Sequence, residues 1–250
     1  MNHKNSSDKN PFAGRFETSD EKKNYVLHLF SSIPKHYDTM NRVMSLGLDM
    51  SWRRKSIRLA DFNNNGLLLD LATGTGDMII AARKILPGAR FIGLDFCGPL
   101  MRLAQEKVNR SLNQQIVKWI QGDALHLPFD DNSLDGAFTA FALRNVTSVE
   151  QVFSELYRVI RPGGKVVSLE MVRQKKQILR KLFSCYFNKI IPVLGRWLTS
   201  YPEAYSYLPL SIENFYTADE LNDLIASIGW KNVQYRLRMF QNLAIHITEK

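Results

Sequence analysis

One junction constrains this chain more than any other feature. Leu67-Leu68-Leu69-Asp70-Leu71 is a short apolar run that passes directly into Ala72-Thr73-Gly74-Thr75-Gly76-Asp77 and then a helical pattern. A short run of this kind, without polar alternation, suits a strand buried on both faces in a parallel sheet. The glycines permit a tight turn and let backbone come close to a ligand. The alternation then repeats. Strands are expected over 90–95, 116–121, 134–139 and 165–170, with helices over 77–86, 98–110 and 149–161 between them. Pro162-Gly163-Gly164 reads as the turn into the last of these strands. Thr217 should cap a helix running to about Ile228, and Gly229 should stop it. Strands over 231–237 and 243–248 close the pattern. The expected fold is α/β: a seven-stranded, mostly parallel sheet with helices on both faces.

The flanks read differently. Residues 1–20 are polar and suggest a disordered arm, without the apolar core of a signal peptide. Residues 21–62 read as an N-terminal helical cap, interrupted at Pro34. Residues 174–213 read as a helical insertion over the substrate site, so 21–250 form one domain. No uninterrupted apolar run approaches the roughly 18 residues of a membrane span. Cys97 and Cys185 sit in no metal-ligand spacing, and no metal site is expected. These features point to a cytoplasmic protein with reduced thiols.

A net charge of +9 admits nucleic acid, an anionic membrane or an anionic substrate as partner. Its distribution narrows the choice. Residues 171–202 contain no Asp or Glu but hold Arg173, Lys175, Lys176, Arg180, Lys181, Lys189 and Arg196. Apolar residues recur at helical spacing from Ile178 to Ile191 within that stretch. Such a helix suits peripheral contact with the inner face of an anionic membrane. It equally suits a lid packed on its own domain.

The turn after the first strand carries the chemistry. A dinucleotide fingerprint would place a third glycine where Ile79 stands, and Asp77 opens the helix instead. A carboxylate there disfavours a pyrophosphate and tolerates a zwitterionic or cationic ligand such as S-adenosyl-L-methionine. Asp95 closes the next strand, nineteen residues after Gly76, where it can accept from both ribose hydroxyls of an adenosine. Asp123, in Gly122-Asp123-Ala124 after the third strand, can accept from an adenine amino group. The expected donor site includes Asp70, Gly74, Gly76, Asp95 and Asp123.

With Arg161-Pro162-Gly163-Gly164-Lys165, these motifs resemble Rossmann-like class I methyltransferases. A narrower resemblance is to the ubiquinone/menaquinone-biosynthesis C-methyltransferase family. It is carried by Tyr37-Asp38-Thr39-Met40-Asn41, Ser45-Leu46-Gly47, Trp52-Arg53-Arg54 and Leu71 to Asp77. Leu143-Arg144-Asn145-Val146, Leu169-Glu170, Tyr205-Ser206-Tyr207-Leu208-Pro209-Leu210-Ser211-Ile212 and Ala244-Ile245-His246 complete it. The resemblance implies methylation of a ring carbon on a prenylated quinol, and donor contacts at Thr75, Asp95, Asp123, Ala124 and Ala140. Relatives commonly carry Ser at Ala140, Gly at Ala142, His at Asp49, and a Gly-rich stretch at Phe240-Gln241-Asn242.

A sulfonium methyl is already activated, so the protein must align the acceptor carbon and exclude water. It must also stabilise a phenolate and remove the ring proton. Arg144 is the leading candidate for that charge, because a guanidinium stays protonated. A structural Arg bridging strand and helix is its plain alternative. Asn145 is expected to orient the same oxygen, Tyr37 and Asn41 to lie on a closing lid, and His246 to accept a proton. The leading acceptor is demethylmenaquinol; a benzoquinol of ubiquinone biosynthesis, another hydrophobic small molecule and RNA are the alternatives. No RNA-binding module is visible, so nucleic acid is not an expected partner. The oligomeric state is open, with a homodimer among the options.

Overall fold

The computed structural model describes residues 16, 18–111, 117–176 and 203–250. Seven strands form one sheet in the order β3-β2-β1-β4-β5-β7-β6. They are β1 (Leu67–Leu71), β2 (Arg90–Asp95), β3 (Val117–Gln121), β4 (Leu134–Ala140), β5 (Ile160–Met171), β6 (Lys231–Arg238) and β7 (Leu243–Glu249). Neighbours from β3 through β5 are parallel, while β7 runs antiparallel to β5 and β6. The expected mostly parallel α/β sheet is present.

Eight α-helices accompany it among the described residues: α1 (Ser19–Ser32), α2 (Pro34–Met44), α3 (Asp49–Ala60), α4 (Asp77–Arg83), α5 (Gly98–Ser111), α6 (Val149–Val159), α7 (Glu203–Glu213) and α8 (Ala218–Ser227). Two apolar cores lie on the two sides of the sheet. Ile57 of α3, Ile79 of α4 and Val108 of α5 share one with Phe91 and Phe138. Phe153 of α6 and Leu221 of α8 share the other with Leu69 and Ala137. Alternate residues of each strand feed opposite cores, as the pleat requires. Burying apolar surface on both faces is what lets an all-apolar strand such as β1 exist in water.

Local chemistry sets the boundaries. Thr18 caps α1 by accepting from the Glu21 N–H at 3.1 Å. Thr217 and Glu220 form a reciprocal capping box at α8. Two expectations change. Phe16 is buried and its ring lies 5.2 Å from that of Tyr25, so packing begins before residue 20. The Pro162-Gly163-Gly164 segment lies inside β5, because Ile160 already pairs with Leu134 and a bulge absorbs the irregularity. The basic apolar stripe from Ile178 to Ile191 lies outside the described residues.

The carboxyl ends of β1 and β4 lie side by side at the point where chain order reverses. Ligands of open α/β sheets bind in the crevice this creates. At the opposite, amino end of β4, Gly136 permits close packing: a Cβ would sit 2.8 Å from a Phe62 ring carbon and 2.9 Å from the Lys165 carbonyl. Gly136→Ala is therefore expected to destabilise the fold by about 1–3 kcal/mol through overpacking. Chemical denaturation checks this, and an unchanged midpoint would contradict the packing described.

Candidate active site

A cleft opens at the carboxyl ends of β1, β2, β3 and β4. Its lining includes Gly74, Asp95, Asp123, Ala124, Ala140 and Asn145, with Tyr37 and Phe30 contributed by the N-terminal helices. Gly74 and Gly76 take positive φ values of 55° and 79°, which glycine adopts without the Cβ penalty. The turn is fastened from the next strand. One Asp95 carboxylate oxygen accepts the Gly74 N–H at 2.7 Å and the other accepts the Cys97 N–H at 2.8 Å. Each oxygen retains acceptor capacity toward the cleft. Burial pushes the Asp95 carboxyl up to about 6, against the opposing N–H bonds of Cys97, Gly74 and Phe96.

The other expected donor-site residues separate by position. Asp70 lies beneath the turn, where it accepts from the Thr73 hydroxyl at 2.6 Å. Burial raises its carboxyl to about 7, with the Thr73 bond opposing. Thr75 donates to Asp38 at 2.5 Å, and Gly76 packs against Val108 and Ala104. These three shape the turn rather than line the cleft. Asp123 stands at the rim, where Lys23 of α1 donates to it at 2.6 Å and the Leu125 N–H at 3.0 Å. Burial disfavours its anion, but Lys23 and the Leu125 N–H more than offset this and hold it below the usual carboxylate range.

Asp77 corrects part of the electrostatic argument. Its carboxylate receives Arg42 at 3.0 Å and Lys107 at 2.7 Å. Burial opposes the anion, but Arg53, Lys107 and Arg42 hold it below the ordinary range. The turn is consequently charge-balanced, not acidic. Lys107 also bonds Asp38 at 2.6 Å, which ties α2 to the body of the domain.

A second cavity adjoins the cleft and shares Phe141 with it. Arg144, Asn41, Asp49, Trp52 and Met239 are among its lining residues. Arg144 is both anchored and incompletely used. Its Nη1 donates to Glu170 at 2.6 Å and to the Phe141 carbonyl at 2.8 Å. Its buried Nε has no partner among the described residues, and neither has the buried Nδ2 of Asn41. Asn145 receives the Tyr207 hydroxyl at 2.9 Å. Tyr37 packs edge-on against Phe30, and burial raises its phenol above the ordinary value.

His246 does not join these residues. It is buried on β7, lines neither cavity, and its Nε2 lies 2.9 Å from the Ala218 carbonyl of α8. Burial lowers its pKa to about 4. The expected proton acceptor is thus a core imidazole facing the other side of the sheet. Sequence reasoning also missed Lys23, Phe30 and the Cys97 N–H. Only the last carried a signal, since it follows Asp95 by two residues.

The ubiE/COQ5 methyltransferase family matches residues 17–250. The chain belongs to that family. A demethylmenaquinone methyltransferase of Roseiflexus castenholzii is 43% identical over 227 residues, covering 91% of this chain and 94% of the relative. One from Thermus thermophilus is 38% identical, covering 89% of this chain and all of the relative. Among solved structures, an S-adenosylmethionine-dependent methyltransferase of Thermotoga maritima superposes with a TM-score of 0.62 at 16% identity, over 90% of this chain and 99% of that one.

This family member is an S-adenosylmethionine-dependent methyltransferase, and the cleft fits that donor. The glycine turn leaves room for close approach, and Asp95 offers acceptors to vicinal hydroxyls. When bound, the donor supplies an activated methyl group. Ala140 also lines the cleft and offers only a methyl group there. Protonated Asp95 loses acceptor capacity. Donor affinity should be level above about pH 7 and fall as pH drops through 6, by up to about tenfold per unit. Asp95→Ala should weaken binding at least about tenfold by removing charge-assisted bonds. Calorimetry across pH measures both, and unchanged affinity in the variant would refute the assignment.

Proposed function

We propose that this enzyme methylates a ring carbon of a prenylated quinol, with demethylmenaquinol as acceptor and menaquinol as product. The observation that carries this is a pair of buried donors with no partner among the described residues, Arg144 Nε and Asn41 Nδ2, on side chains that line one cavity beside the donor cleft. An unmade buried hydrogen bond is costly, so such donors mark the place of a missing acceptor. A phenolate oxygen supplies it. Charge on that oxygen makes the neighbouring ring carbon nucleophilic, and the donors are aligned before reaction. Asn145 faces the cleft side, its amide held by the Tyr207 hydroxyl and the Phe141 carbonyl, and its second amide N–H is the donor to the same oxygen. Tyr37 of α2 lines the donor cleft. Several similar relatives bear the name demethylmenaquinone methyltransferase, which supports the naphthoquinol over a benzoquinol.

Labelled donor incubated with a demethylated prenyl naphthoquinol should place label on the ring carbon. Arg144→Lys keeps the charge but loses the planar fork. It should lower kcat about a hundredfold while leaving donor affinity nearly unchanged. No transfer by the wild type would sink the reading, and normal turnover by the variant would remove Arg144 from it.

A long-tailed quinol resides in a bilayer, so the enzyme meets it there as a peripheral protein. Leu46 is 73% exposed and Phe240 81% exposed, with Leu48 also open to solvent. Their chain neighbours Ser45, Asp49 and Met239 line the second cavity. The two turns therefore present apolar side chains at the place where a tail would leave the protein. No helix among the described residues is long and apolar enough to cross a membrane. Replacing Leu46, Leu48 and Phe240 together by Ser should reduce turnover of quinol in anionic vesicles. Turnover of a short-tailed soluble analogue should survive, and equal loss of both would argue against membrane contact here.

A further inference from the structure

Methylation of a ring carbon leaves that carbon holding both a methyl group and a hydrogen, so the hydrogen must go to a base. His246 is not available, because it lies in the opposite core. Glu170 is fully buried and spent on Arg144 and the Met171 N–H. Arg144 stays protonated and cannot accept. Among the described residues, one carboxylate lines the second cavity: Asp49, the first residue of α3.

Asp49 is 1% exposed. Its Oδ2 is paired with Arg42 and lies 3.7 Å from Arg53 Nε. Its Oδ1 has a single, longer bond, from the Ser45 hydroxyl at 3.2 Å. A carboxylate needed for packing alone gains nothing from facing a cavity. One oxygen held by cations and the other lightly engaged is the arrangement of an oriented base.

We propose that Asp49 Oδ1 accepts the ring proton of the methylated intermediate. This rests on the reading of the second cavity as the acceptor site. The step balances as follows. The ring carbon's electron pair forms the new C–C bond, while the donor's C–S bond breaks and its pair remains on sulfur. The ring C–H bond then breaks, its proton passes to Asp49 Oδ1, and its electron pair restores aromaticity. Recovery of aromaticity makes this proton acidic, so a carboxylate is a sufficient base. The proton is afterwards released to solvent.

The test uses full-length enzyme, with the demethylated prenyl naphthoquinol carrying hydrogen or deuterium at the reacting carbon. Asp49→Asn should lower kcat about a hundredfold. Its residual turnover should show a primary isotope effect larger than the wild type's, while calorimetric donor affinity stays unchanged. Asp49→His, which supplies a different base, should recover about tenfold of the lost kcat. A merely structural Asp49 would show no added isotope effect and no selective recovery by His. Asn turnover close to wild type would overturn the proposal, as would a loss shared by both variants without a new isotope effect. Failure of the wild type to methylate the quinol would instead overturn the acceptor assignment beneath it.

Discussion

The arrangement of the site depends on one buried carboxylate. Asp95 is 4% exposed and ties the turn after β1 to the turn after β2 through two backbone N–H groups. Removing its charge from water is costly, and its pKa rises to about 6 because of that burial. A raised folded-state value means its contribution to stability is present below the ordinary carboxylate range. That contribution is lost as pH rises through about 6. At neutral pH the protein thus maintains an anion whose remaining lone pairs suit hydroxyl donors. The group that shapes the turn is also the group a ribose would relieve. Asp70, raised to about 7 beneath the same turn, repeats the compromise one layer deeper.

Charge pairs then hold the N-terminal helices over this turn. Lys23 joins α1 to Asp123, Lys107 joins α5 to Asp38 of α2, and Arg42 of α2 reaches Asp77 at the start of α4. Single exposed pairs contribute little. Their common direction matters more, because each link joins the helical cover to the carboxyl end of the sheet. Tyr37 and Phe30 reach the cleft on the elements so held. The cations that balance Asp77 also remove the acidity that the sequence suggested at the turn. On the proposed donor site, selection would consequently fall to shape and to Asp95.

The parts of the fold legible in sequence are those with a local period. β1 read as a short apolar run, β2 as the next strand of the alternation, and Thr217 announced α8 as its cap. β5 was read too short because Pro and Gly inside an edge of pairing look like a turn, while a bulge can carry them. Gly74, Asp95 and Asp123 were legible because strand ends place them. Lys23 and Asp123 are a hundred residues apart, and Arg42 and Asp77 thirty-five, distances no local pattern encodes. His246 failed for another reason. Strand alternation says that alternate residues share a face but not which core that face meets. On β7, Ala244 joins the core of α6 and α8, and His246 points to the α8 carbonyl at Ala218.

In the proposed function, Arg144 joins two roles that sequence reasoning set against each other. As a bridge, it links the turn after β4 to Glu170 near the end of β5. The turn needs that bridge, since Phe141 adopts a φ of 61° and its carbonyl accepts from both Arg144 and Asn145. A lysine could form an ion pair with Glu170, but one ammonium cannot also present a second donor in a fixed plane. The guanidinium can: Nη1 is spent on Glu170 and Phe141, while Nε makes no hydrogen bond among the described residues. Glu170 at 2.6 Å cancels most of the long-range field of Arg144. What remains for a ligand in the cavity is short-range and directional. In the proposed acceptor site, Arg144 would therefore discriminate by where an oxygen lies rather than by how much negative charge the ligand carries.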